Sequence, residues 1–182
     1  MSRIGKSPIT PPQGVTVTVA GKSISIKGPK GELTRTVDPL LAVAYKDGTI
    51  SITRENDEKA ARQLHGLTRT LVNNMVIGVT AGYQKTLDIV GVGYRVAAQG
   101  KNIALQVGYS KPKVVEPLAG IQLAVEGQNR IHVRGPNKDT VGLMAAKIRR
   151  VRPPDLYKGK GIRYAGEVVR LKPGKGAGAK KA

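Results

Sequence analysis

The 182-residue chain has no cysteine, no tryptophan, no phenylalanine and only two histidines. Without cysteine there is no disulfide framework, no thiol nucleophile and no thiolate ligand for zinc or an iron–sulfur cluster. His65 and His132 lie far apart in sequence, so no metal centre is expected. Tyrosine is the sole aromatic, and the core has to be built from Val, Ile, Leu and Ala. Long apolar runs are missing too: Leu40 to Tyr45 spans six residues, against about 20 for a membrane-crossing helix. The opening Met1-Ser2-Arg3-Ile4-Gly5-Lys6-Ser7-Pro8 is not followed by an apolar stretch of signal-peptide length. The expectation is a cytoplasmic protein with no membrane partner.

Acidic residues are also scarce, 12 Asp and Glu against 31 Lys and Arg, which leaves a net charge of +19. Such a chain attracts polyanions at physiological pH, nucleic acid foremost. Its hydrophobic share of 40% and charged share of 24% are those of a folded protein, which excludes wholesale disorder. Enzyme templates fail. Gly21-Lys22-Ser23 has Thr16 where a P-loop requires glycine. Gly91-Val92-Gly93 lacks the third glycine of a dinucleotide fingerprint and opens no helix. No carboxylate pair recommends itself for acid–base work. No catalytic residue, cofactor or small-molecule substrate is expected.

Alternation of period two marks strands at Val15–Ala20 and Ser23–Ile26, joined by a turn at Gly21-Lys22. A third strand is expected at Glu32–Val37, and Lys46-Asp47-Gly48 turns into another at Thr49–Ile52. The period then changes. Asn56 reads as a helix N-cap with Asp57 and Glu58 in the first turn. Ala60, Leu64, Leu67, Leu71 and Met75 mark one helix face, with Gly78 and Gly82 as stop signals. The pattern then returns. Thr86–Ala98 reads as one long β segment in which Gly91 and Gly93 mark a bulge or close packing. Strands follow at Ile103–Val107, Ile121–Val125 and Arg130–Val133. Asn137 then caps a helix carrying Val141, Met144, Ala145, Ile148 and Val151, ended by Pro153-Pro154.

Gly21-Lys22-Ser23-Ile24-Ser25-Ile26 aligns with Gly100-Lys101-Asn102-Ile103-Ala104-Leu105 at an offset of 79. Ile50-Ser51-Ile52 aligns with Ile131-His132-Val133 at an offset of 81. A near-constant offset across different element types implies duplication. The expected fold class is α+β: two duplicated domains, each an antiparallel sheet with one main helix on a face. The expected boundaries are 1–82, 83–172 and a basic flexible tail at 173–182.

Charge is unevenly spread. Residues 1–82 hold 11 basic and 6 acidic side chains, residues 83–146 hold 8 and 4, and residues 147–182 hold 12 and 2. The last 36 residues thus carry more than half of the net charge. Lys147, Arg149, Arg150 and Arg152 end the second helix with no acid among them. Helix-dipole stabilisation, roughly 0.3–1 kcal/mol per cation, accounts for one or two of them. It does not account for the continuation into Lys158, Lys160, Arg163, Lys172 and Lys175. Gly159 and Gly161 are expected to bring backbone amides close to a phosphate. Arg163 offers a planar fork for phosphate or base. Tyr157 either stacks on an unpaired base or packs at a hinge. Asp155 is expected to cap the loop or pair with an Arg, and Tyr164 to be structural. Lys111 and Lys113 sit in a basic loop after a strand, facing either a polyanion or solvent.

The segment Pro154-Asp155-Leu156-Tyr157-Lys158-Gly159-Lys160-Gly161-Ile162-Arg163-Tyr164 resembles the signature of the bacterial large-subunit ribosomal protein six family. The opening through Ile9, the stretch Gly91-Val92-Gly93-Tyr94-Arg95 and Gly108-Tyr109-Ser110 resemble that family as well, in order along nearly the whole chain. One departure is Lys111, which stands where many members have His; it removes a His-specific role and favours a phosphate contact. The resemblance implies a structural, non-enzymatic constituent of the large ribosomal subunit. It implies binding to large-subunit (23S-type) rRNA, mostly through the second domain, near the stalk base and the factor-binding region. Neighbouring ribosomal proteins and translation factors are the further implied partners. The signature carries Tyr157, Lys158, Lys160 and Arg163 over as RNA contacts. From charge alone the alternative is an architectural DNA-binding protein, although no apolar wedge for intercalation stands out.

Overall fold

A computed structural model describes residues 3–174, which divide by their contacts into two compact units. Unit 1 is residues 3–83 with 135–138, and unit 2 is residues 84–134 with 139–174; of the tail expected at 173–182, residues 175–182 lie outside the described residues. Unit 1 begins with a short helix α1 (Arg3–Lys6) and a three-stranded antiparallel sheet of β1 (Thr16–Ala20), β2 (Ser23–Gly28) and β3 (Gly31–Thr36). The hairpin β4 (Leu41–Lys46) and β5 (Thr49–Arg54) follows, then the long helix α2 (Lys59–Thr80). Asp47 and Gly48 both take positive φ, 49° and 71°, as a two-residue Asp-Gly hairpin turn requires. The apolar run at Leu40–Tyr45, which lacks clear alternation, is mostly strand β4, with Leu41 buried. The core is mainly aliphatic, with Ile24, Ile26, Ile50 and Val72 buried between the strands and α2.

Helix α2 corrects four expectations. Its N-cap is Glu58, with no side-chain capping bond, so Asn56 does not cap it. Asp57 instead pairs back onto Arg54, so neither acid lies in the first turn. The buried stripe is Ala61, His65, Thr68, Val72, Met75, Val76 and Val79 rather than the row beginning at Ala60. Leu67 stays 54% exposed. Both rows repeat at helical spacing, and the buried one is diluted by His65 and Thr68, so apolar counting favours the wrong row. His65 is tolerated inside because its Nε2 meets Ile52 O at 2.9 Å and its Nδ1 meets Arg54 at 3.3 Å. Gly78 is not a stop signal. The helix runs through it, and an added Cβ would collide with the Pro136 carbonyl. Gly82, at φ 75°, follows the helix end.

Unit 2 repeats this plan with additions. Strands β7 (Arg95–Gln99), β8 (Asn102–Gln106) and β9 (Lys113–Val115) form a three-stranded antiparallel sheet like β1–β2–β3. Strands β10 (Gln122–Glu126) and β11 (Arg130–Gly135) pair as β4 and β5 do. Helix α3 (Lys138–Val151) follows, as α2 does in unit 1. Beside β11 runs β6 (Tyr83–Val90), and beyond it β12 (Gly161–Tyr164), giving the order β10-β11-β6-β12. The counterpart of β6 in unit 1 is a single bridge, where Ile9 and Ile50 exchange backbone bonds of 3.0 and 2.8 Å. The long segment expected at Thr86–Ala98 is therefore two strands in two sheets, broken at Gly91–Tyr94. Gly91 there takes φ 150°, against the Tyr94 ring. The α3 face is as expected for Val141, Met144, Ala145 and Ile148, which are buried, while Val151 at the helix end is half-buried. The helix ends at Val151, before Pro153-Pro154.

Candidate nucleic-acid interface

Helix α3 buries Val141, Met144, Ala145 and Ile148, while Lys147 and Arg150 lie off that face and are exposed. Arg149 and Arg152 have other engagements. Arg149 donates from Nε to Glu167 at 3.1 Å, and the two side chains are only 31% and 26% exposed. Its guanidinium also lies 5.5 Å from the Tyr164 ring centre. The hydrogen bond from Arg149, and then the Tyr164 backbone N–H, hold the Glu167 carboxyl below its ordinary range. The same pairing raises Arg149. Arg149 and Glu167 thereby pin the segment after β12 to the helix. Arg152 stacks on Tyr109 at 5.4 Å, and hydrogen bonding to Tyr109 and then Tyr94 raises its guanidinium above its ordinary value. Both arginines position structure within unit 2.

Tyr109 joins two parts of the sequence. Its hydroxyl donates to Val151 O at 2.9 Å, which fixes the loop after β8 to the end of α3. The ring also carries Lys113 at 5.6 Å. The expected basic loop and the basic helix end therefore meet. Lys111 and Lys113 are exposed, and Lys113, Lys147, Tyr109 and Val151 line one groove of about 440 Å³.

The signature loop is built differently from its expected phosphate cradle. Asp155 organises it: its carboxylate accepts the Lys158 N–H at 2.9 Å, and its carbonyl accepts the Gly159 N–H at 3.0 Å. The expectation that Asp155 caps the loop holds. Gly159 is buried with its amide engaged, so it offers no donor to a phosphate. Gly161 is buried too, at φ 147°, and a Cβ there would stand 2.6 Å from Pro153 O and 2.7 Å from Pro154 Cα. Gly161 thus packs closely against the two prolines, and Gly159 lies against Leu171. Lys158 and Tyr157 point outward, and Tyr157 at 59% exposure is not a core or hinge-packing residue. Lys160 is half-buried. Arg163 is half-buried on β12, opposite Asp88 in register, and lines a different groove with Glu126 and Arg130. Lys172 is exposed, and its N–H donates to Leu156 O at 2.7 Å. Lys175 lies outside the described residues.

His132 is also engaged, with Nδ1 3.1 Å from Thr86 Oγ1 and Nε2 2.9 Å from Glu126. That bond is the main cause holding Glu126 below its ordinary range. Two features escaped the sequence reading. Glu167 is, with Asp155, one of two acids after residue 146, and that rarity was the available signal. Tyr94 gave none, because a lone aromatic after a glycine pair has many roles.

The profile of the ribosomal protein L6 family matches residues 11–82 and 90–165, two successive segments that correspond to the duplicated plan. A large ribosomal subunit protein uL6 from Synechococcus sp. (strain JA-3-3Ab) is 56% identical over 181 residues, covering all of both chains. Those from Acaryochloris marina and Carboxydothermus hydrogenoformans are 54% and 53% identical, over 96% and 98% of this chain and 98% of each relative. The chain belongs to the ribosomal protein L6 family. Members of that family are structural, non-enzymatic components of the large ribosomal subunit. The α+β duplication is thus the family's own. Among the described residues no helix is long and apolar enough to cross a membrane.

Proposed function

We propose that this member of the ribosomal protein L6 family holds folded large-subunit rRNA through unit 2, near the stalk base and the factor-binding region. The supporting observation is the joining of two exposed cation sets by one tyrosine: Lys111 and Lys113 from the loop and β9, Lys147 and Arg150 from α3. Lys158 and Lys172 add exposed charge on the signature loop and the segment after it. Phosphate neutralisation supplies affinity, and the fixed spacing of the cations reads the shape of a folded strand. Unit 1 carries 11 basic and 6 acidic residues over 1–82 and is assigned to neighbouring ribosomal proteins or solvent. The stalk-base position and the nearby translation factors rest on the family resemblance rather than on geometry. Nothing in the fold favours the architectural DNA-binding alternative.

The test is a titration of the full chain against transcribed large-subunit rRNA and duplex DNA of equal phosphate count, at several salt concentrations. A preference for the RNA that survives high salt is expected. Equal binding that collapses with salt would overturn the reading.

A further inference from the structure

The sheet β7–β8–β9 has an open outer face. Strand alternation turns Val96, Ile103, Leu105 and Val115 into the core, where all four are buried. The opposite face carries Ala97, Ala104 and Val114, which the register sets side by side across the three strands. Ala97 and Val114 are exposed and Ala104 is half-buried. Flanking this apolar row are the pairs Arg95 with Gln106 and Gln99 with Asn102.

The duplication supplies an internal comparison. In the corresponding sheet of unit 1, β1–β2–β3, Thr18 pairs with Ser25 and Ser25 with Thr34. Ser25 and Ala104 are equivalent at the offset of 79, so the two rows occupy the same place. In unit 1 the row is hydroxylated: Thr34 Oγ1 donates to Ser25 Oγ at 3.3 Å, and Ser25 Oγ donates to Glu32 Oε1 at 2.7 Å. In unit 2 all three hydroxyls are gone. The sheet does not require this exchange, because alanine is a poorer strand former than threonine. RNA does not require it either, since the row offers no cation to a phosphate and no aromatic ring to a base. Lys113, next to Val114 on β9, alternates to the opposite face with Val115. Arg95 is the one cation among these outward strand positions, and it has no ion-pair partner among the described residues.

We infer that this face docks a neighbouring protein of the large ribosomal subunit, through a surface that is aliphatic at its centre and sets a carboxylate against Arg95. The short side chains of the row let that surface approach the sheet closely, and their methyl groups leave water. The amides of Gln99, Asn102 and Gln106 supply the polar rim usual at protein interfaces. The lysine-rich segment 175–182 is a poorer occupant, because Arg95 repels it. None of the cations assigned above to RNA is needed for this contact.

The test gives unit 2 the row that unit 1 carries: Ala97→Thr, Ala104→Ser and Val114→Thr together in the full chain. The variant should unfold like the wild type and bind transcribed rRNA with the wild-type affinity and salt slope. Assembled into large subunits in equal mixture with the wild type, it should be incorporated roughly tenfold less, since hydroxyls are buried without partners. Equal incorporation would overturn the inference. So would a matching loss of affinity for free rRNA, which would make the face an RNA contact. A second measurement uses the absence of native cysteine. Val114→Cys carrying a benzophenone, in assembled large subunits, should cross-link to one peptide of another subunit protein. Cross-links to rRNA, to residues 175–182 or to a second copy of the chain would overturn the inference, as would no cross-link at all.

Discussion

One methyl group, added at three glycines of unit 2, should change stability in opposite directions. Gly142 is helical with nothing within 4 Å of a built Cβ. Gly142→Ala removes unfolded-state freedom at no steric cost and should stabilise by about 0.5–1 kcal/mol. Gly166 has φ 79° and open space around it, so Gly166→Ala isolates the left-handed backbone cost, about 1–2 kcal/mol. Gly161 has φ 147° and the Pro153–Pro154 backbone within 2.6–2.8 Å of the added carbon. There backbone strain of about 1–3 kcal/mol combines with overpacking of about 1–3 kcal/mol. A loss of about 2–6 kcal/mol follows, or at least roughly 4 °C in melting temperature at about 2–4 °C per kcal/mol for a chain of this length. The assay is urea unfolding with amide exchange read at Ile162, whose N–H donates to Arg152 O at 2.8 Å. If Gly161→Ala costs no more than Gly166→Ala, the packing account of the signature loop is refuted.

Two further outcomes follow from the contacts around α3. Glu167 is held below its ordinary range by Arg149. Its stabilisation is therefore complete above the unfolded carboxyl value, about 4.5, and is lost as pH falls through the lower folded value. Glu167→Gln should flatten that acid limb of the unfolding curve, and an unaltered acid limb would show that the pairing does not contribute. Tyr109→Phe removes the donor to Val151 O and should cost about 1 kcal/mol. It should also weaken rRNA binding without changing the salt slope, since no phosphate contact is removed. A changed slope would contradict the positioning role.

The duplication and most strands were legible because alternation and glycine turns recur at offsets of 79 and 81, but β4, β9 and β12, which lack clear alternation or are short, were not. The α2 face was not, because tertiary hydrogen bonds make His65 a better core residue than Leu67. In the candidate site the basic helix end was legible from charge, but the division of labour within it was not. Arg149 and Arg150 are adjacent in sequence and differ by about 100° around the helix, enough to put one on Glu167 and the other in solvent. Glycines in a Lys-Gly-Lys-Gly run suggest an anion cradle from composition. Only the fold reveals that Gly161 is packed against Pro153 and Pro154 and that the Gly159 amide is taken up by the Asp155 carbonyl. The meeting of Tyr109 with Val151 is a contact across 42 residues, which no local pattern announces.

The central claim is that exposed cations of unit 2, and not its paired ones, neutralise RNA phosphates. The most direct measurement is the salt dependence of rRNA binding for the wild type and for Lys147, Arg150 and Lys158 changed together to Ala. At a slope of about 0.7–0.9 per phosphate contact, the triple variant should lose roughly 2–3 units of slope while unfolding like the wild type. A triple variant with the wild-type slope would contradict the account.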